Sequence, residues 1–362
     1  MKLVKVSNLK DGMILARDVY SIDGLSQILL LRRGLAITEE NIHQFFERGI
    51  TEVFIRDGKN DDIAVQPILD RKTRDKAIKA IKDVFSKNSI NSITIGEREM
   101  HKLEVVSEEI VEQVLRSPNL QVSINELKSY DDYTYHHCLS VSVLSIAIAA
   151  GLQLEYDKVK KIGLAGLLHD VGKIMVGIEL INKPGKLTPE EFDEVKKHTL
   201  YGGEYLKSHN LVDFDVYNGV LMHHEKYDGT GYPFGLSGEN IPLFGRIIAV
   251  ADVYDALTSN RSYRPAKESW EAYEFLLGGC DTHFDTEMVH AFAKKIAPYP
   301  IGSLVKLSNG DVGVVTDVNS DFPLRPEVSS VIEGKVYRLW EDSEKNNITV
   351  LGDLRKYQKG VL

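Results

Sequence analysis

Side chains that can bind metal ions are concentrated in about a quarter of the chain. Seven of the eleven histidines lie between His136 and His224. The candidate ligands are His137, His169, Asp170, His198, His223, His224 and, further along the chain, Asp252. Imidazole and carboxylate ligands without thiolate favour a catalytic iron or manganese site over a structural zinc site. The residue types therefore predict a catalytic metal centre.

The number of candidate ligands predicts two divalent metal ions, iron or manganese. One octahedral ion cannot accept seven protein ligands and still bind water and substrate. Asp170 is the expected bridge, because its two oxygens can each reach one ion, whereas the adjacent His169 reaches only one. Two ions roughly 3.5 to 4 Å apart lower the pKa of a shared water and stabilise the attacking and leaving oxygens of a phosphoryl displacement. The predicted chemistry is phosphoester hydrolysis, with Asp170 at its centre.

Three cationic residues are predicted to contact a phosphate group. Lys173 follows Asp170 by three residues, so a helical conformation places its ammonium on the same side as the ligands. There it can neutralise a phosphate oxygen or protonate a leaving alkoxide. Arg261 and Arg264 are spaced so that one turn directs both at one point, and guanidinium groups bind phosphate oxygens well.

Other residues near these motifs have two interpretations each. Asp255 can orient a ligand histidine or pair with an arginine on a helix surface. Glu225 follows two candidate ligands and either holds one of them by a hydrogen bond or is solvated. Gly229, Gly231 and Pro233 can form an ordinary turn, but beside two histidines they favour a loop that shapes the site.

The pattern of residues predicts a multidomain α+β protein. Residues 1–65 are expected to form a small α+β module, with strands near 12–19, 28–31 and 51–55 and a helix that begins at Thr38. Residues 66–121 are predicted to be a helical connector, and residues 122–298 an all-α catalytic domain. Residues 299–362 are expected to form a small β-rich module with a tight hairpin at Asn309-Gly310.

The composition excludes several classes of protein. Hydrophobic residues make up 43% and charged residues 27% of the chain, as in soluble globular proteins. The net charge of −9 argues against binding to a nucleic-acid polymer. The longest apolar run, residues 141–154, is shorter than a membrane span and predicts a buried helix. Asn8, Lys10 and Asp11 interrupt the start of the chain, so we expect a cytoplasmic protein without a signal peptide.

The site residues resemble those of a known family. His169-Asp170, with His137 upstream and Asp252 downstream, is similar to the HD phosphohydrolase superfamily. A narrower resemblance, to the HD-GYP family of cyclic di-GMP phosphodiesterases, is carried by His223-His224-Glu225, Asp228-Gly229 and Gly231-Tyr232-Pro233. The resemblance covers about residues 131–292. It implies a helical HD-type fold, an iron or manganese cluster, and hydrolysis of cyclic di-GMP to pGpG or GMP.

The resemblance also implies roles for particular residues. Lys173, Arg261 and Arg264 correspond to phosphate contacts, and the Gly-Tyr-Pro segment to a loop beside the site. Some members of the family bind a third metal through a glutamate where this chain has Tyr133, which favours two metals here.

Two other functions remain open at this point. An HD hydrolase of this kind can act on cyclic GMP-AMP or a nucleoside phosphate, and a protein with the same site can bind a cyclic dinucleotide without turnover. The flanking modules offer surfaces for a homodimer or for signalling partners.

Overall fold

The fold is assembled from a helical centre with β-structure on both sides in the chain. In the computed structural model of the protein, the described residues are 2–23, 26–50, 52–56, 58, 68–85, 97–116, 133–181, 183, 185–208, 212–259, 266–331, 334–341 and 347–353.

The described residues of the amino-terminal region form two short antiparallel sheets, one α-helix and a 3-10 helix at Val6–Asn8. Strand β1 (Lys2–Lys5) pairs with β4 (Glu52–Ile55), and β2 (Val19–Asp23) pairs with β3 (Ser26–Leu31). Helix α1 (Glu39–Glu47) begins after Thr38, whose hydroxyl accepts a hydrogen bond from the backbone of the third helical residue and forms a capping box. The predicted start of this helix is thus confirmed.

The strand predicted near residues 12–19 is wrong. Ile14 forms a single bridge to Ala36 and Leu15 a single bridge to Ile55, so two different partners replace one continuous ladder. The regular strand begins only at Val19.

The regular elements in the described part of the central region are helices, and two isolated bridges join Asp228 to Ser237 and Cys280 to Phe284. Its helices are α2 (Arg71–Phe85), α3 (Glu97–Arg116), α4 (Tyr133–Gly151), α5 (Tyr156–Leu168), α6 (Ile178–Ile181), α7 (Pro189–Lys196), α8 (His198–Ser208), α9 (Phe214–Met222), α10 (Leu243–Thr258), α11 (Ser269–Gly278) and α12 (Thr286–Lys295). Short 3-10 helices lie at Val171–Met175 and Gly238–Asn240.

One hydrophobic core joins most of these helices, although α6 and α7 contribute no residue to it. Ile81 of α2 and Leu103 of α3 belong to the same buried cluster as Leu144 of α4 and Ile247 of α10. The predicted helical connector and the predicted catalytic domain therefore share a core, so α2 and α3 support the helices that carry the candidate ligands.

Helix α4 passes through the middle of this core. Its segment Thr134–Gly151 is long and apolar enough to cross a membrane, and no other described helix is, but 78% of that segment is buried inside the protein. Leu139, Leu144 and Ile148 are fully buried. The buried helix predicted from the apolar run of residues 141–154 is confirmed.

The carboxy-terminal region is a five-stranded antiparallel sheet in the order β8-β7-β6-β5-β9. The strands are β5 (Leu304–Leu307), β6 (Val312–Asp317), β7 (Glu327–Ser330), β8 (Val336–Arg338) and β9 (Val350–Asp353). Strands β5 and β6 pair across the Asn309-Gly310 turn, as the sequence predicts.

The amino-terminal region also contacts the helical region. Lys5 of β1 forms an ion pair of 3.2 Å with Glu268, the residue that precedes α11.

Helices α4 and α5 cross so closely at Gly166 that a larger residue there is expected to destabilise the protein. A methyl group added at Gly166 would lie 2.6 Å from the Ser142 Cα atom. Because backbone atoms cannot yield as a flexible side chain can, we expect Gly166→Ala to destabilise the protein by about 1–3 kcal/mol. A lower midpoint of thermal unfolding measures this.

Gly278 provides the matched control, because it is also helical but has no atom within 4 Å of an added methyl group. Gly278→Ala is expected to leave the midpoint unchanged or raise it. Equal midpoints for the two variants would contradict the close packing of α4 on α5.

Candidate metal centre

Five separate segments bring the seven predicted ligands to one place. His137 lies on α4, His169 and Asp170 directly follow α5, and His198 begins α8. His223 and His224 follow α9, and Asp252 lies on α10. Six of the seven residues are buried, and the His224 side chain is 25% exposed. The candidate ligands therefore lie mostly buried between helices.

The ligand atoms form two clusters. His137, His169 and Asp170 make one, and His198, His223 and His224 make the other. Within each cluster the potential ligand atoms all lie within 4.8 Å of one another. Each group of three convergent ligands could hold a metal ion.

Asp170 lies between the clusters. Its Oδ2 atom is 3.7 Å from His137 Nε2 and 3.4 Å from His169 Nε2, whereas its Oδ1 atom is 3.5 Å from His198 Nε2. Each oxygen thus faces a different cluster, which is the geometry that a bridging carboxylate requires.

Asp252 makes a second link between the clusters. Its Oδ1 atom lies 3.1 Å from His137 Nε2, and its Oδ2 atom lies 3.9 Å from His224 Nδ1. The centre therefore contains two carboxylates among five imidazoles, a donor set suited to divalent first-row metals.

The ends of three helices fix the orientation of three imidazoles. The Nδ1 atoms of His169, His198 and His223 lie 2.9, 2.7 and 2.8 Å from backbone carbonyls three residues earlier. These carbonyls belong to the last turns of α5, α7 and α9, where backbone acceptors lack partners within the helix. Donation from Nδ1 leaves the lone pair of Nε2 directed into the site.

Asp255 orients the fourth imidazole. Its Oδ2 atom lies 2.7 Å from His137 Nδ1, and the carboxylate is 1% exposed. Of the two interpretations open for Asp255, the structure shows the contact with a histidine. Asp255 lies three residues after Asp252, so one helix supplies both a candidate ligand and the residue that holds another.

Burial sets the charge of the second cluster. It lowers the pKa of His198 to about 4 and that of His224 to about 3, and it holds the pKa of His223 well below its usual value. All three imidazoles are therefore neutral near pH 7, the state in which imidazole binds a metal.

In the first cluster, interactions with charged neighbours outweigh the effect of burial on the pKa values. Burial lowers the pKa of His137, but hydrogen bonds with Asp252 and Asp255 outweigh it and raise the pKa to about 9. Burial also raises the pKa of Asp170, yet the Lys173 ammonium and His169 bring it well below the usual range. Ionised carboxylates therefore line the side of the site nearest His137, which is where a cation would be held.

Two buried polar atoms indicate that the residues fit metal ions. His169 Nε2 and Asp170 Oδ1 have no hydrogen-bond partner within the described part of the chain. Such atoms are costly to bury, and a bound cation would satisfy both. His198 Nε2 and His223 Nε2 also converge at 3.4 Å, as two ligands of one ion do.

Lys173 extends from the metal centre toward solvent. It lies in the 3-10 helix after Asp170, its Nζ atom is 2.5 Å from Asp170 Oδ2, and its side chain is 27% exposed. The preceding Gly172 packs on the backbone of α8, where a methyl group would lie 1.9 Å from the His198 carbonyl oxygen. This close approach joins the two segments that supply Asp170 and His198.

A loop folds back over the second cluster, and its attachment is a feature that the sequence analysis did not identify. Glu225 is 3% exposed and accepts hydrogen bonds from the Phe234 and Leu236 backbones at 2.7 and 3.0 Å. Tyr232 donates its backbone N–H to the His224 carbonyl, and its ring stacks on the His224 ring at 4.7 Å. Glu225 is thus not solvated, and its carboxylate binds the backbone that follows the Gly-Tyr-Pro segment and not a ligand histidine.

Some predicted residues lie outside the described part of the chain. Arg261 and Arg264 fall in the undescribed range 260–265. Tyr133 begins α4, but its side chain is not among those described.

The fold and the site define a helical metal-binding domain of the HD type. Residues 121–288 match the family model described as HD domain. A cyclic di-GMP phosphodiesterase of Pseudomonas aeruginosa is 45% identical over 223 residues, which cover 61% of this chain and 53% of the relative. A cyclic di-GMP phosphodiesterase of Thermotoga maritima is 39% identical over 173 residues, 47% of each protein. Residues 121–288 are therefore an HD domain, and the chain is similar to curated cyclic di-GMP phosphodiesterases.

A solved structure extends the similarity of the fold beyond the HD segment. An HDG"Y"P protein from Bdellovibrio bacteriovorus superposes with a TM-score of 0.54 at 21% identity, over 80% of this chain and 97% of that one. The chain spans about half the length of the two curated relatives, at 53% and 47%.

The contact between Asp255 and His137 makes a testable prediction about metal affinity. Asp255→Asn keeps the size of the side chain but removes the charge that holds His137. We expect an about 10- to 100-fold loss of metal affinity, measured by competition with a chelator of known affinity. Asp157→Asn is the control, because Asp157 is 67% exposed on α5. Equal affinities in the two variants would contradict the orienting role of Asp255.

Proposed function

We propose that this protein is a metal-dependent phosphodiesterase that hydrolyses cyclic di-GMP to pGpG or GMP. The observation that carries the proposal is the position of Asp170, whose Oδ2 atom faces His137 and His169 of its own cluster and whose Oδ1 atom faces His198 of the second cluster. The similarity to two cyclic di-GMP phosphodiesterases supports the choice of substrate.

We assign two divalent ions, iron or manganese, to the seven residues His137, His169, Asp170, His198, His223, His224 and Asp252. When bound, two such ions supply a water of lowered pKa and stabilise charge on phosphoryl oxygens. The chain itself presents neutral imidazoles on one side and ionised carboxylates on the other. Burial excludes bulk water and strengthens each of these electrostatic interactions.

Lys173 is assigned to the phosphate of the substrate. Its ammonium is already beside Asp170, and its partial exposure leaves it accessible to a ligand that enters from solvent. In this position it neutralises a phosphoryl oxygen or donates a proton to the departing 3′ oxygen. Arg261 and Arg264 are assigned to the other phosphate oxygens on the basis of their spacing and of the guanidinium geometry. The protein is expected to act in the cytoplasm, without a nucleic-acid polymer as partner.

Product analysis tests the proposal. Protein loaded anaerobically with iron(II) or manganese(II) is incubated with cyclic di-GMP, cyclic GMP-AMP and cyclic di-AMP, and the products are separated by chromatography. We expect linear pGpG or GMP from cyclic di-GMP at the highest kcat/KM. Lys173→Ala should lower kcat by about 100-fold or more, in line with the loss of one electrostatic stabiliser, with metal content retained.

Other outcomes identify the alternatives. Preferred turnover of cyclic GMP-AMP would replace the assigned substrate with another cyclic dinucleotide. Tight binding of cyclic di-GMP without a linear product, with either metal, would show a receptor and contradict the proposed activity.

A further inference from the structure

A row of rings leads from the metal centre to the surface. The Tyr232 ring stacks on His224 at 4.7 Å, with an angle of 29° between the planes. Phe192 of α7 meets the Tyr232 ring edge to face, with centroids 6.5 Å apart. Phe192 is 48% exposed. The row therefore ends in an open aromatic ring close to a candidate metal ligand.

A positive charge borders the same rings. Lys196 lies one helical turn after Phe192, and its Nζ atom is 5.3 Å from the Phe192 ring centre and 6.0 Å from the Tyr232 ring centre. The ammonium also pairs with Asp193 at 2.5 Å, and the Lys196 side chain is 33% exposed. A partly exposed aromatic ring, with the partly exposed ammonium of Lys196 over it, thus lies beside the centre.

This combination suits a purine base. Aromatic side chains that stack on bases are accessible from solvent, as the half-exposed Phe192 is. Guanine presents two acceptors, O6 and N7, along one edge, and a lysine ammonium is a good donor to them. Adenine has an amino group in place of O6, which an ammonium repels. Each phosphate of a cyclic dinucleotide is flanked by two nucleosides, so a phosphate held at the metal centre brings a base into its surroundings.

We propose that Phe192, Tyr232 and Lys196 form a base platform that holds one guanine of the cyclic dinucleotide. Phe192 supplies the stacking surface, Tyr232 fixes the platform to the metal centre through His224, and Lys196 favours guanine over adenine. This proposal rests on the proposed function and deepens it, because it adds residues that determine which substrate is accepted.

Kinetics of exposed phenylalanine variants test the stacking. Phe192→Ala should raise KM for cyclic di-GMP roughly 5- to 150-fold, as expected for loss of one stacked base, with a smaller change in kcat and unchanged metal content. Phe192→Trp should restore a low KM. Phe214→Ala is the matched control, because Phe214 is 74% exposed at the other end of α9 from His223. A KM of Phe192→Ala equal to that of wild type would overturn the platform.

The preference between bases tests Lys196. Lys196→Gln should lower the ratio of kcat/KM for cyclic di-GMP to that for cyclic di-AMP by roughly 5- to 150-fold. An unchanged ratio would overturn the assigned role of Lys196 while leaving the stacking test as it stands.

Failure of the proposed function would look different. Wild-type protein would then form no product with any metal, and the platform would be tested by binding alone. The fluorescence of the Phe192→Trp variant should be quenched by GMP, relative to wild-type protein with its two native tryptophans. Quenching by GMP would support the platform without the hydrolase, and absence of quenching would overturn it.

Discussion

The burial of one carboxylate between two sets of imidazoles is the constraint on which the structure depends. An isolated buried charge is strongly unfavourable, and Asp170 is 1% exposed. Its oxygens face His137 and His169 on one side and His198 on the other, and Lys173 is beside them. Cations in these two positions would convert a costly arrangement into a stable one. The helices therefore have to hold the five segments that carry the candidate ligands in fixed positions relative to one another.

Helix ends and close backbone contacts fix the positions of these segments. The last turns of α5, α7 and α9 offer carbonyl acceptors that orient three imidazoles without any additional side chain. Gly172 allows the segment after Asp170 to touch the backbone of α8. Glu225 then ties the Gly-Tyr-Pro loop to the same place through two backbone hydrogen bonds. The positions of the candidate ligands thus depend largely on backbone contacts.

Local signals explain what the sequence could predict. The capping residue Thr38, the Asn309-Gly310 hairpin and the apolar helix α4 depend on neighbours in the chain, and each prediction is confirmed. The types of the ligands indicated the metal centre because His and Asp are rare together in a core.

Contacts between distant segments could not be predicted in this way. The choice of Asp255 as partner of His137 joins residues 118 apart, and the shared core of α2 and α4 depends on packing across the fold. The strand expected near residues 12–19 failed because its pairing partners lie in two other segments. Glu225 had a local position beside the ligands, but its backbone partners became visible only when the loop was folded.

The number of metal ions bound to one chain tests whether Asp170 bridges two ions. Protein purified without oxygen is analysed by inductively coupled plasma mass spectrometry, for wild type and for Asp170→Ala, with thermal unfolding as a check that the variant is folded. Two divalent ions are expected in each wild-type chain, and the Asp170→Ala variant is expected to lose at least one of them. A wild-type chain that saturates at one ion, or a folded Asp170→Ala variant that retains two, would contradict this bridging role.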